Sequence, residues 1–317
     1  MNITLPERTA RFRADLALLA GPAPPAFGVA VSGGPDSLAL LLLATAAFPG
    51  QVEAATVDHR LRAESAAEAE MVATLCAARG IPHATLTGPA IQGNVQAGAR
   101  ALRYRLLGDW ARARGLAFLV TAHHQDDQAE TLLMRLQRGA GLAGLAGIRP
   151  RAEIEGLKVL RPLLGWRRAE LGEVVAEAGL VPVEDPGNSD DRYDRARLRR
   201  RLADSGWLDA PALSRSAGAL GEAEEALDWT VEQLIAERTE DAQGGLTFAA
   251  GDLPAELRRR ALLRLLALLV PADPPRGDAV QRLLAALEAG ETATLAGVKC
   301  EGGPVWRLFP APPRREP

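Results

Sequence analysis

Four times between residue 20 and about residue 145, a short apolar run stops at polar residues and gives way to a helical pattern of more than ten residues. The runs are 27–31, 52–57, 81–86 and 117–121; the helical stretches are 38–48, 63–79, 96–114 and 125–138. Antiparallel strands can be joined by a two-residue turn, but parallel strands need a long crossover, so this alternation predicts βαβ units. The expected fold class is α/β, an open, mostly parallel sheet with helices on both faces. Gly80 and Gly115 stand where helices must stop, and the breaker segment Gly21-Pro-Ala-Pro-Pro25 precedes the first run.

Three of the runs end in polar clusters, and the carboxyl ends of parallel strands are where an open sheet binds ligands. Ser32-Gly33-Gly34-Pro35-Asp36-Ser37 follows the first. Two glycines let the backbone bend sharply and bring N–H groups against an anion, with the positive end of a helix behind them. The segment lacks the lysine of GxxxxGK[ST] and the spacing of GxGxxG, so it is a phosphate cradle of another kind. Asp36, in the first helical turn beside that loop, is a candidate Mg²⁺ ligand. Val57-Asp58-His59-Arg60-Leu61-Arg62 ends the second run; Thr121-Ala122-His123-His124-Gln125-Asp126-Asp127-Gln128 ends the fourth and leads into a helix carrying Glu130. Three of the four histidines lie in these two clusters, and His83 reads as an ordinary strand residue. A dipole-favoured helix start would account for Asp126-Asp127 alone, but not for three such clusters at strand ends.

Charge divides along the chain: residues 1–206 hold 25 Lys+Arg against 23 Asp+Glu, and residues 207–317 hold 12 against 17. A nucleic-acid binder needs a cationic stripe, not a basic whole. Arg192, Arg195, Arg197, Arg199, Arg200 and Arg201 supply one, with Asp194 the single acid among them. Arg100 and Arg103, at i and i+3 beside Tyr104, form a shorter one. Cys76 and Cys300, with no CxxC pair, exclude a disulfide scaffold and a thiolate metal centre. No apolar run reaches the roughly 20 residues that cross a bilayer. The early charges Glu7, Arg8, Arg11, Arg13 and Asp15 do not follow the order of a secretory signal, so a cytoplasmic protein is expected. The domain division is expected near Trp207: 1–206 for the sheet domain, and 207–317 for a smaller, mainly helical domain. That second domain has helical patterns at 213–240, 254–269 and 278–288 and short strands within 292–309. Gly139 to Gly147, rich in Gly and Ala, reads as a mobile loop.

SGGPDS at 32–37, VDHRLR at 57–62, RALRYR at 100–105, TAHHQDDQAET at 121–131, RPLL at 161–164 and EDPGN at 184–188 occur in that order, before the Arg-rich stretch. Together they resemble the tRNA(Ile)-lysidine synthetase family. SGGxDS alone would mark only the wider PP-loop ATP pyrophosphatase superfamily, of adenine nucleotide alpha hydrolase-like fold; HHxDDQxET with EDPxN narrows it to this branch. The match covers about residues 27–201 and departs from the family pattern at Arg60, commonly Gly, and at Gly187, commonly Ser. The chain resembles the shorter members, which lack a further C-terminal domain.

The resemblance implies a ligase that forms a C–N bond. ATP adenylates the C2 carbonyl oxygen of cytidine 34 in the CAU anticodon of tRNA(Ile), pyrophosphate leaves, and the ε-amine of L-lysine displaces AMP to give lysidine. Ser32, Gly33, Gly34, Pro35, Asp36, Ser37, Asp58, His59 and His124 are then expected to bind ATP, with Asp36 near Mg²⁺. Asp36, His123, Asp126 and Asp127 are the expected catalytic residues. Arg100, Arg103, Arg192, Arg195, Arg197 and Arg199 are expected to meet phosphates of ATP or tRNA. Roles within the pairs His123/His124 and Asp126/Asp127 stay open. The expected partners are L-lysine and that tRNA, without a membrane and with a homodimer left open. Two other enzyme readings compete. Thiolation of tRNA by another PP-loop enzyme needs sulfur-carrying cysteines, which isolated Cys76 and Cys300 do not offer. A metal-dependent phosphohydrolase would use HHQDD with Asp58 and His59.

Overall fold

The computed structural model describes residues 4–60, 65–89, 95–183, 194–270, 275 and 277–311. They form two compact units, Met1–Gly221 and Glu222–Pro317.

In the first unit β1 (Phe27–Ala30), β2 (Val52–Asp58), β3 (His83–Thr87), β4 (Leu119–Val120) and β6 (Leu157–Leu160) run parallel, and β5 (Arg151–Ile154) pairs antiparallel with β6. The order is β3-β2-β1-β4-β6-β5. Connections leave β1 toward β2 on one side and later return to its other side as β4. The order therefore reverses at β1/β4, the switch point at which such sheets open a crevice.

Strand residues alternate between faces. Phe27 and Val29 enter one core with Val52, Ala54, Phe118, Val120 and Leu160. That core is closed by α1 (Leu5–Ala20), α2 (Pro35–Ala47), α3 (Ser65–Ala78) and α7 (Arg168–Glu177). Ala30, Ala55, Leu119 and Val159 face the other side and meet Tyr104, Leu107 and Trp110 of α4 (Val95–Ala113). Helices thus cover both faces, as the alternation predicts. The approach of α4 to β1 is close: a Cβ at Gly28 would lie 2.7 Å from the Trp110 ring. α2 is buried from Leu38 to Leu41 and again at Leu43 and Ala44, so its all-round apolar sequence has core on every side.

Several elements exceed the sequence reading. α1 buries Arg8, Phe12 and Leu16, spaced by four residues. It is tied to the α7 region by Arg8 to Glu173 and Glu177, by Arg11 to Glu170 at 2.8 Å, and by Trp166 Nε1, which donates to Asp15 at 2.8 Å. The Gly/Ala-rich segment expected to be a mobile loop contains α6 (Leu142–Leu145) and is clamped to α5 (Gln125–Gln137). Gln128 Nε2 donates to Ile148 O at 3.0 Å, and Arg135 Nη1 donates to Gly144 O at 2.7 Å and Gly147 O at 3.0 Å. The Arg-rich stretch forms α8 (Asp194–Asp204).

The division between the units falls inside α9 (Ala210–Arg238), beyond the expected Trp207. The first turns of this helix pack in the first unit: Ala217 is buried there, and Arg149 Nη1 donates to Gly221 O at 3.2 Å. The second unit adds β7 (Thr239–Ala242), β8 (Gly245–Ala249), α10 (Ala255–Leu269), α11 (Gly277–Glu288), β9 (Thr292–Leu295), β10 (Val298–Glu301) and β11 (Val305–Pro310). Its antiparallel sheet has the order β7-β8-β11-β10-β9. Phe248, Val298, Cys300, Trp306 and Leu308 pack against Leu262, Leu265, Leu266, Leu283 and Leu287. The three helices and the terminal strands follow the sequence pattern, whereas the β7–β8 hairpin is additional. Among the described residues no helix is long and apolar enough to cross a membrane.

Candidate active site

The carboxyl ends of β1, β2 and β4 carry the three polar clusters to one cavity of about 520 Å³, the size of a small-ligand site. After β1 the chain bends at Gly33, whose φ of 84° lies in the left-handed region that glycine takes without strain. Gly33 O accepts from Val183 N at 3.0 Å, so a segment far along the sequence braces the loop. Within the loop Ser37 Oγ donates to Gly34 O at 3.0 Å, and Ser32 N donates to Ser37 Oγ at 3.1 Å. Gly34 caps α2 without a side chain and Pro35 begins it, so the first-turn N–H groups have no side-chain cap. The bend and the uncapped helix start are the geometry that the sequence reading asks of an anion cradle.

Asp36 follows in that first turn. Its Oδ2 lies 3.4 Å from His124 Nε2, while its Oδ1 is buried without a hydrogen-bond partner. A buried, unpartnered carboxylate oxygen beside a phosphate cradle fits a cation ligand. Among the described residues no group of three His, Cys, Asp or Glu is arranged to hold a metal. Mg²⁺ needs no such cage, since it binds through one or two carboxylates together with substrate phosphates.

At the end of β2, Asp58 accepts from Ser65 Oγ at 2.6 Å and from Arg60 N at 2.9 Å, contacts that hold its carboxyl below the usual range. Asp58 thereby ties the end of β2 to Ser65 at the start of α3 and is not part of the cavity lining. Arg60 has φ 50°, in the left-handed region that glycine takes without strain. His59 lines the cavity, with its Nδ1 buried and unpartnered.

At the end of β4 the two histidines part. His123 lines the cavity and shares a 2.9 Å hydrogen bond with Thr121. Burial, with Arg161, Arg103, Arg195 and Arg100 nearby, pushes it down to about 3, so it is neutral. His124 is 1% exposed. Burial alone would lower it, but the carboxylates of Asp126, Asp36 and Asp127 around the ring lift it to about 9. Its Nδ1 lies 3.6 Å from Asp126 Oδ2, and the same nitrogen is 3.4 Å from the Asp127 N–H, a capping contact open only to the neutral ring.

That shift sets a pH dependence. A folded value above the unfolded 6.5 stabilises the protein fully below 6.5 and is lost as pH rises through 9. With Mg²⁺ and nucleotide left out, stability to urea is expected to fall by about 3 kcal/mol between pH 6.5 and 9.5. The His124→Asn variant should lose this slope, and an unchanged slope in that variant would discard the assignment. Asp126, held down at about 2 by His124 first and by Arg168 N, reports the same contact from its other side, so the two effects are not added.

Arginines complete the wall. Glu130 is 1% exposed and accepts from Arg195 Nε and Arg199 Nε, each at 2.6 Å, while Arg195 Nη2 reaches Asp127 Oδ1 at 2.6 Å. Burial pushes the Glu130 carboxyl up, but Arg199 and Arg195 bring it below its ordinary value. The Arg-rich stretch thus begins by closing the site.

Of the expected residues, Ser32, Gly34, Pro35, Asp36, Ser37, His59, Arg103, His123, Asp127, Arg195 and Arg199 line the cavity. Gly33, Asp58, His124 and Asp126 stand behind it; Arg100 lies over the Tyr104 ring at 5.1 Å, and Arg197 is exposed away from the lining. Arg192, Leu61, Arg62 and the EDPGN segment lie outside the described residues. Arg168, Thr121 and Val183 join the lining without having been singled out from sequence. Glu130, which the sequence reading places on the helix after the third cluster without giving it a role, supports that lining through Arg195 and Arg199. Cys76 and Cys300 are buried elsewhere, and burial pushes their thiols up to about 11 and about 12.

A PP-loop domain model matches residues 8–205. A tRNA(Ile)-lysidine synthase of Novosphingobium aromaticivorans is 50% identical over 292 residues, covering 90% of this chain and 89% of the relative. The tRNA(Ile)-lysidine synthase of Zymomonas mobilis is 42% identical over 323 residues, covering 99% and 97%. Among solved structures, a U34-tRNA thiolase from Methanococcus maripaludis superposes with a TM-score of 0.56 at 16% identity, covering 70% of this chain and 81% of that one, a likeness of fold. With a lysine-free phosphate loop, the paired histidines and acids at β4, and relatives matched along nearly their whole length, the chain belongs to the tRNA(Ile)-lysidine synthase family.

Proposed function

We propose that the protein joins L-lysine to C2 of cytidine 34 in tRNA(Ile) bearing a CAU anticodon, converting ATP to AMP and pyrophosphate. The observation that carries this reading is one cavity lined by two different kinds of group. One is a phosphate cradle without the lysine that serves γ-phosphate transfer, and the other is Asp127 backed by Glu130. The membership of the family supports it.

In the first step the C2 carbonyl oxygen of cytosine attacks the α-phosphorus, and the bond to the β-phosphate breaks. The uncapped first turn of α2 receives the departing pyrophosphate, and Arg103 offsets charge nearby. His123, neutral and held by Thr121, hydrogen-bonds at the nucleotide without altering the charge there. In the second step the lysine nitrogen attacks C2, the C2–O bond breaks and AMP leaves. A free ε-amine carries its proton at neutral pH, with a reference pKa of about 10.4. Asp127 binds that ammonium and takes up the proton that must go before attack. Asp36 would hold Mg²⁺, which when bound offsets phosphate charge. The base reaches the cavity from an anticodon loop, where unstacking takes only a few kcal/mol.

The raised thiols of Cys76 and Cys300 speak against sulfur transfer, since the thiolate is the reactive form. The test is direct. Protein, ATP, Mg²⁺, labelled lysine and the CAU-bearing tRNA(Ile) transcript should place label in the RNA, with AMP and pyrophosphate released in equal amount. Folded protein that releases phosphate without lysine, or transfers no label, would overturn the reading.

A further inference from the structure

The paired acids and paired histidines at the start of α5 do not occupy equivalent places. Successive helix residues are rotated by about 100°, so Asp126 and Asp127 cannot both face the cavity. Asp127 shares its face with Glu130 and meets Arg195. Asp126 faces α7: its Oδ2 accepts from Arg168 N at 2.9 Å. Arg168 is the first residue of α7, and the residue before it, Arg167, has no acceptor in its side chain with which to cap the helix. Asp126 therefore caps α7 from another element, an anion at a helix N-terminus. A second rung joins the same segments, Gln125 N donating to Trp166 O at 2.9 Å. His124 fills the space behind, with its ring between Asp36, Asp126 and Asp127 and its backbone N–H donating to Asp127 Oδ2 at 3.1 Å. Neither His124 nor Asp126 lines the cavity.

We propose that Asp126, with His124 behind it, is a positioning residue that touches no substrate: it fastens the first turn of α5, and so Asp127, to the N-terminus of α7 and to Asp36. Its kinetic consequences rest on the proposed reaction; its structural consequence does not. Asp127 needs a fixed place because a shift of about 1 Å can cost on the order of 100-fold in rate. The tether supplies it from a helix anchored in the core, where Leu171, Val174 and Val175 are buried.

Arg168 offers a one-atom test. Proline is favoured at the first position of a helix, and Arg167 already has the extended backbone, φ −78° and ψ 146°, that a residue before proline requires. Arg168→Pro removes the donor N–H and keeps the helix. Because the Arg168 side chain lines the cavity, the reference is Arg168→Ala.

Expected is a kcat at least about tenfold lower in Arg168→Pro than in Arg168→Ala, with the KM for lysine equal within roughly twofold. Asp126→Ala and His124→Asn should show the same split, whereas Asp127→Asn should raise the KM for lysine. Asp126→Asn keeps an acceptor and should recover most of the rate, and Arg168→Pro should add nothing in the Asp126→Ala background. Should Asp126→Ala not fold, the Arg168 pair and Asp126→Asn still decide. Amide exchange at residues 125–128 should be faster in Arg168→Pro than in Arg168→Ala, whatever reaction the protein catalyses. Equal exchange in the two Arg168 variants overturns the tether. So does a lysine KM raised by Asp126→Ala as far as by Asp127→Asn, or an Asp126→Asn variant as slow as Asp126→Ala. Wild-type protein that transfers no lysine overturns the proposed reaction instead, and the exchange comparison then stands alone.

Discussion

Replacing Asp36 with alanine abolishes turnover, lowering AMP release and lysine transfer by on the order of 10³-fold or more, and leaves the fold intact. The side chain stands in the first turn of α2 with one oxygen buried and unpartnered and the other 3.4 Å from His124. What the fold loses is an acid at a helix N-terminus, worth about 0.3–1 kcal/mol. The reaction loses a carboxylate that stands in the first helical turn after the glycine bend and lines the cavity. Circular dichroism should match the wild type and unfolding should stay cooperative, with a midpoint lowered only modestly by the lost helix-terminus and His124 contacts, while product formation disappears. Full activity in the variant would remove Asp36 from the site.

The largest effect on stability is expected in the second unit. Arg260 is 8% exposed and forms two bonds to Glu224, at 3.0 and 2.5 Å, one to Asp228 at 2.6 Å and one to Glu256 at 2.7 Å. Arg260→Ala strands the buried Glu224 carboxylate, a loss of about 3–5 kcal/mol. For a unit of this size that is a fall on the order of 15–25 °C in its thermal transition. Arg260→Leu combined with Glu224→Leu, which removes both charges, should recover most of it. An Arg260→Ala transition at the wild-type temperature would show that the pair is not buried in solution. The neighbours behave alike: Arg258, Arg259 and Arg264 pair with Glu288, Glu256 and Glu232. These arginines of α10 thus pair with acids of α9, α10 and α11.

The parallel sheet was legible because apolar runs and crossover helices have different periods, and the sharp bend after β1 because two glycines stand between an apolar run and a helical pattern. What escaped has physical causes. α1 hides its core face because Arg8, neutralised by Glu173 and Glu177, occupies a buried position where a pattern seeks an apolar residue. The β5–β6 hairpin turns at Glu155-Gly156, with φ of 52° and 68°. Such a turn is usually signalled by Asn-Gly or Asp-Gly, and glutamate gives no such cue. Ala296-Gly297 turns β9 into β10 in the same way. In the site, sequence brought His123, His124, Asp126 and Asp127 forward together. Only the fold distinguishes them, because which helix face meets the cavity depends on α7 and α8, far along the chain.

The bond from Val183 to Gly33 has a consequence for how this machinery could be moved or altered. The loop after β1 is not a portable cassette: its bend is buttressed from outside its own strand and helix, and a Cβ at Gly33 would come within 3.2 Å of Val183 Cγ2 and 3.3 Å of Met71 Cε. Grafting Phe27 to Ala47 onto another scaffold would transplant the letters without the buttress. Conversely, drift at Val183 would surface as weakened triphosphate capture, a defect that no reading of the loop alone would explain.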